Sequence, residues 1–185
     1  MRNVLIPVLL IALLFTLSGC VDDGELRIRN RTAAKLYLSV DNAPAESLVA
    51  WSNWSKFYSV DRSVVISYNG DYVFDNSITR DVRSGLVSTV DIQPDAGAIH
   101  LTNDQNITIS EMYISPTGNP DWGDDELTGE LNLGQSTLWT ATAGNWDIRI
   151  VDTNHITHYL YNQVVTLNQT LELLVSDFIT KSSQE

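Results

Sequence analysis

The chain has 185 residues, with 23 Asp and Glu against 11 Lys and Arg, a net charge of -12, 43% hydrophobic residues and one cysteine. That length fits one domain or two small ones and is too short for a large multidomain enzyme. The acid excess excludes nucleic acid as a partner, and a lone cysteine excludes both an internal disulfide framework and a four-cysteine zinc site.

Met1-Arg2-Asn3 carries one positive charge, and Val4 to Leu17 is an uncharged, mostly aliphatic run of 14 residues ahead of Ser18-Gly19. A basic start, a short apolar run and small residues predict a secretory signal peptide over residues 1–19. At ~1.5 Å per residue the run makes about 21 Å of helix, short of a ~30 Å hydrocarbon core, so it is not a permanent membrane span. Leu17-Ser18-Gly19-Cys20 closely resembles the lipobox of bacterial lipoproteins. The resemblance implies that Cys20 receives a thioether-linked diacylglycerol and becomes the first residue of the mature chain, with a lipidated tether over 20–25. Two or three acyl chains anchor stably where one binds only marginally. Val21 follows the cysteine. In the family's sorting rule an Asp there favours the inner membrane, so the rule points to the outer membrane.

No helical period follows. Short alternating or β-branched runs are separated by Asn, Asp, Gly and Pro, which predicts strands and turns throughout. In chain order these are Leu26 to Arg29, Lys35 to Val40, and a hairpin of Arg62 to Tyr68 with Asp71 to Asp75 around Asn69-Gly70. Further strands are expected at 85–93, 98–103, 107–115, 136–142, 146–152, 156–167 and 170–176. The segment Gly24 to Asn30 matches Gly97 to Asn103 at an offset of 73, and Leu36 to Ser39 matches Met112 to Ser115 at 76. Gly85, Val90 and Ile92 match Asn168, Leu173 and Val175 at 83, the offset growing across a long polar loop at 116–129. The expected architecture is all-β, two tandem small antiparallel β-sandwich modules over 26–95 and 97–177, with a tail over 178–185.

Met112 to Pro116, Asp121-Trp122-Gly123-Asp124, Gly134-Gln135-Ser136 and Trp146 to Asp152 are together similar to a small β-sandwich module of poorly characterised exported bacterial proteins. The similarity covers roughly 98–176 and speaks to fold more than to function.

Charge divides unevenly between the halves. Residues 20–96 hold 11 acids and 8 bases, whereas 97–185 hold 12 acids and only Arg149 and Lys181. Arg27, Arg29 and Arg31 repeat every second residue and share one strand face close behind the anchor. That face is either ordinary solvated surface or a contact for anionic head groups. Asp121, Asp124, Asp125 and Glu126 crowd the long loop, offering oxygen ligands for calcium or simply a solvated acidic loop around a Trp122-Gly123 turn with an aromatic plug. Trp51 and Trp54 lie in a polar, loop-like stretch, where they could stack on a sugar or a protein partner, or plug the end of a sandwich. Trp139 and Trp146 read as core.

His155 and His158 are three apart, a spacing that faces opposite sides of a strand. The G-x-S-x-G and H-E-x-x-H motifs and a phosphate-binding glycine loop do not occur, so the chain reads as non-catalytic and without a cofactor beyond that calcium possibility. The expected role is a membrane-anchored envelope lipoprotein that binds an envelope protein or glycan through loops 41–55 and 116–129, or has a structural role. The alternatives are an accessory lipoprotein docked on an envelope assembly or secretion complex and, further off, an envelope-polymer hydrolase.

Overall fold

The computed structural model describes residues 22–180, so the expected signal peptide, Cys20 and residues 181–185 lie outside the described residues. Strand β1 (Gly24–Asn30) alternates inward Leu26 and Ile28 with outward Glu25, Arg27 and Arg29, the pattern of a sheet with one dry face. It is the centre of a three-stranded sheet, between β4 (Asn53–Tyr58) and β7 (Val87–Ile92). Facing it is a four-stranded sheet in the order β3 (Glu46–Leu48), β2 (Leu36–Val40), β5 (Arg62–Gly70), β6 (Val73–Val82). The same plan then recurs. Strand β8 (Gly97–Thr102) lies between β10 (Ser136–Ala141) and β13 (Thr170–Leu174). The second four-stranded sheet runs β9 (Ile109–Pro116), β11 (Gly144–Asp152), β12 (Thr157–Val165), β14 (Ile179–Thr180). A 3₁₀ turn at Val175–Asp177 precedes β14.

The fold is therefore all-β, two tandem small sandwiches, each with its own core. One core gathers Leu26, Ile28, Leu36, Val64, Ile66, Val82 and Val90. The other gathers Ile99, Leu101, Ile109, Met112, Ile148, Ile150 and Leu173. All pairings are antiparallel except β1 with β7 and β8 with β13, which are parallel. The expected tail begins instead with Phe178, buried in the second core, and then β14.

The repeat is visible in buried polar chemistry. Asn30 is fully buried; its side-chain amide donates to the carbonyls of Ala34, Leu48 and Val49, and its Oδ1 accepts from the N–H of Thr32. Asn103, 73 residues on and equally buried, donates to Ile107 and Leu131 and accepts from Gln105. Gly24 and Gly97 also correspond. A Cβ on either would lie 2.5 Å from the Arg83 carbonyl oxygen or 2.3 Å from that of Thr166, so only glycine fits.

Strand pairing corrects the offset of 76. Leu36 pairs with Leu48 and Ile109 bridges Leu131, so Leu36 corresponds to Ile109 at 73 and Leu48 to Leu131 at 83. The change comes from a bulge in β9 near Ser110 and from the long loop after it. The offset is 82 along β5 and β11, where Leu36 pairs with Gly70 and Ile109 with Asp152, and 83 again at Gly85 and Asn168, which have positive φ in matching turns.

The Asn69-Gly70 hairpin forms, but Gly70 pairs with Val73, so the turn is Asp71-Tyr72. Gly70 serves close approach instead: a Cβ there would sit 2.8 Å from the Lys35 carbonyl oxygen. Strands β3 and β4 were not expected, and Trp54 lies in β4 rather than in a loop.

The modules meet end to end through polar contacts. Asn168 Oδ1 accepts from the Ala33 N–H at 2.7 Å, the Tyr72 and Thr170 hydroxyls are 2.8 Å apart, and Thr140 donates to the carbonyls of Gly70 and Asp71.

Candidate functional site

The acidic loop after β9 is laid along the edge of the second sandwich and fastened at several points. At its start, buried Asp147 accepts from the Thr117 hydroxyl at 2.8 Å and from the Asn162 N–H at 2.7 Å. Further along, the Ser115 hydroxyl donates to the Asp121 carbonyl, and Asp125 Oδ1 accepts from the N–H groups of Met112 and Leu127. The Glu126 N–H donates to the Met112 carbonyl, and the Trp139 indole donates to that of Glu126. This segment stands beside β9 much as β3 stands beside β2.

Burial alone would raise the Asp147 carboxyl, but the bonds from Asn162, Thr117 and Gly118 outweigh it and hold its pKa below the ordinary value. A depressed carboxylate contributes stability that is present above its unfolded pKa of ~3.9 and lost as pH falls through the lower folded value. Asp147→Asn is therefore expected to lose less stability than wild type between pH 7 and pH 3 in urea unfolding; equal losses would refute the assignment.

The fastened loop delivers Trp122 onto the outer face of the four-stranded sheet. There the register places Arg149 of β11 directly between Tyr113 of β9 and Tyr159 of β12. The Arg149 guanidinium lies 4.0 Å from the Tyr113 ring centre and 5.2 Å from that of Trp122. Trp122 tilts against Tyr159 at 6.0 Å, and Tyr159 stacks on Tyr161 at 5.6 Å. Arg149 Nε is buried with no hydrogen-bond partner among the described residues, and Arg149 forms no ion pair among them. Cation–π contact holds the guanidinium in place without consuming its donors. An arginine held between Tyr113 and Trp122, with Tyr159 beside it and Tyr161 stacked on Tyr159, has the composition of a protein-binding hot spot.

The four loop acids do not form a cation cage. Asp121 and Asp125 spend carboxylate oxygens on the N–H groups of Gly123, Met112 and Leu127. Among the described residues no three His, Cys, Asp or Glu side chains are grouped as a metal ion requires. Trp51 and Trp54 do not form one platform either. Trp51 stands exposed in a turn with φ of 59°, whereas Trp54 packs against the first core and donates its indole N–H to Glu46 at 2.9 Å.

Arg27 and Arg29 do share the outer face of β1, with Arg31 just beyond its end, but each has a carboxylate partner. Arg27 pairs with Glu25, while Arg29 and Arg31 share Asp91. The two guanidiniums hold the Asp91 carboxyl below its usual range. Two acids thus offset much of the positive charge expected of this face. His158 lies 3.6 Å from Asp152 and its Nδ1 is 3.0 Å from the Thr180 hydroxyl, contacts that fasten β14 to the sheet. Asp152 itself is occupied by the turn it caps, accepting from the N–H groups of Asn154 and Ile156.

Sequence reasoning singled out Arg149 as a scarce base and Trp122 as a plug, and both as parts of the module-like segments, without joining them. The signal that would have joined them is strand register, which sets Tyr113, Arg149 and Tyr159 in one row.

No family model matches the chain, and no curated protein matches it. Among solved structures, the Bacillus anthracis TIE protein is similar at 12% identity with a TM-score of 0.31, over 83% of this chain. The chain spans about a third (33%) of that structure's length, and so distant a likeness carries no argument about function.

Proposed function

We propose that this protein is a lipid-anchored, non-catalytic component of the bacterial cell envelope that holds a partner protein at its second module. The observation that carries the anchoring is Leu17-Ser18-Gly19-Cys20, which ends two residues before the described fold begins at Asp22. Val21 after the cysteine favours the outer membrane over the inner one. The binding role rests on Arg149 against Tyr113 and Trp122, extended by Tyr159 and the Tyr161 stacked on it, carried on a sheet and a fastened loop instead of a mobile tip.

Pull-down from envelope extract with the lipidated chain tests this reading. Arg149→Ala and Trp122→Ala are each expected to weaken capture of the partner by at least about tenfold, the loss typical of a hot-spot residue. Trp51→Ala is expected to leave capture unchanged. Undiminished capture by both of the first two variants, with melting temperatures preserved, would refute the assignment of this face. A turnover abolished by one point substitution would favour a hydrolase instead.

A further inference from the structure

The two modules share one design, so each surface of one has a counterpart in the other, and the end of the first module at which the chain enters stands out. Gly24 pairs with Tyr58, Glu25 pairs with both Phe57 and Val87, and the Gly85 N–H donates to the Asp22 carbonyl. The turn carrying Val60 and the turn carrying Leu86 therefore flank the chain where it leaves Asp22. Phe57, Val60, Leu86 and Val87 are 64%, 63%, 58% and 53% exposed there. Single exposed apolar residues are common on protein surfaces, but four at one end form a patch that needs a cover.

The second module supplies the internal comparison. Its corresponding end docks on the first module. There Thr140 replaces Phe57, the turn Thr142-Ala143 replaces that of Val60, Gln169 replaces Leu86 and Thr170 replaces Val87. Thr140 and Thr170 make hydrogen bonds that join the modules, beside that of Asn168 to Ala33. Where protein covers this end the residues are small or polar; where nothing among the described residues covers it they are large and apolar. A preceding protein module would call for the threonine version.

We propose that the end formed by Phe57, Val60, Leu86 and Val87 seats in the lipid surface beside the anchor, a proposal that rests on the lipoprotein reading of Cys20. Only Val21 separates Cys20 from Asp22, so the acyl chains join the protein within about 7 Å of this end at ~3.5 Å per residue. The attraction is apolar and not electrostatic. Asp22, Asp23, Asp61 and Glu25, which stands between Phe57 and Val87, face Arg27, Arg83 and Arg62 here; Arg27 is already paired with Glu25 at 2.8 Å and Arg62 with Asp41 at 2.6 Å. The contact thus differs from an arginine face held to anionic head groups, which salt would release.

The test uses the full lipidated chain in zwitterionic phosphatidylcholine vesicles. With Cys20 acylated, a cysteine introduced as Leu86→Cys, or as Leu133→Cys in the second module, is the one free thiol for a fluorophore. At Leu86 the label is expected to be quenched more by a nitroxide in the acyl chains than by one on the head groups, at high salt as at low. At Leu133 neither nitroxide should quench. Adding Phe57→Ser, Val60→Ser and Val87→Ser should abolish the acyl-chain quenching at Leu86 while the protein still floats with the vesicles. A floating protein whose Leu86 label responds only to the head-group nitroxide overturns the lipid seat and leaves the anchor standing. A mature chain without palmitate on Cys20 overturns both.

Discussion

Exported behind an ordinary cleavable secretory signal, a Cys20→Ser chain is expected in the soluble fraction, unlabelled by palmitate, whereas the wild-type chain floats with membranes. The size of the effect follows from acyl-chain burial at ~0.8 kcal/mol per methylene. One chain gives marginal, reversible binding, while two or three add up to tens of kcal/mol, which is effectively permanent attachment. No protein surface described above can replace that. Fully burying one large apolar side chain yields only about 1.5–3 kcal/mol, and the four at the entry end would be partly buried at best. The loss should accordingly be close to complete. Membrane flotation of the serine variant, or palmitate label on it, would sink the lipoprotein reading.

Asn103→Ala is expected to cost about 3 kcal/mol, with Asn30→Ala similar, against about 0.5 kcal/mol or less for the exposed Asn106→Ala. In the native chain the Asn103 side chain serves the carbonyls of Ile107 and Leu131 and the N–H of Gln105, at 2.7, 2.9 and 3.0 Å. Truncation strands those groups in a buried setting, and each stranded group costs about 1–3 kcal/mol, reduced where water enters the space. A single domain is stable by only about 5–15 kcal/mol, so such a loss is a sizeable fraction. Because the two cores are separate, each substitution should act mainly on its own module. Urea unfolding, monitored at tryptophans of each half, checks both the size and the locality. A cost below 1 kcal/mol at both positions would show that the amides are not structural bridges.

Much of the architecture was legible because it is written in period two. The run Leu26-Arg27-Ile28-Arg29 alternates so cleanly that β1 and its dry face follow directly. Glycine spacing exposed the repeat, since Gly24 and Gly97 each fill a place where a Cβ would collide with backbone. Strand β4 escaped because Phe57, a large apolar residue, faces out while Lys56 stands exposed between Trp54 and Tyr58, which blurs the alternation. The register of β9 was misread because one bulge near Ser110 shifts every later residue, and a bulge leaves no reliable mark in composition.

The candidate site was legible only in fragments for the same kind of reason. Trp122 and Arg149 are 27 residues apart in the chain and meet only after loop and strand are both in place. The arginine face of β1 was correctly grouped by spacing, but its neutralisation by Asp91 depends on β7 lying parallel beside it. Pairing partners distant in sequence decide local charge, and single-strand patterns do not carry that information.

The parallel pairing of the first module's first and last strands, β1 and β7, has a mechanical consequence. Because β7 runs alongside β1 in the same direction, the chain enters the first module at one end and leaves at the other; β8 and β13 pair in parallel likewise, before the 3₁₀ turn carries the chain on to β14. A tether at Asp22 and a load on the distal module would pull β1 and β7 past each other lengthwise. Their hydrogen bonds would then be strained in shear, many at once, rather than opened one after another like a zip. A string of such modules can carry tension without returning the chain to its starting point, and it lengthens by one fixed step for every module added.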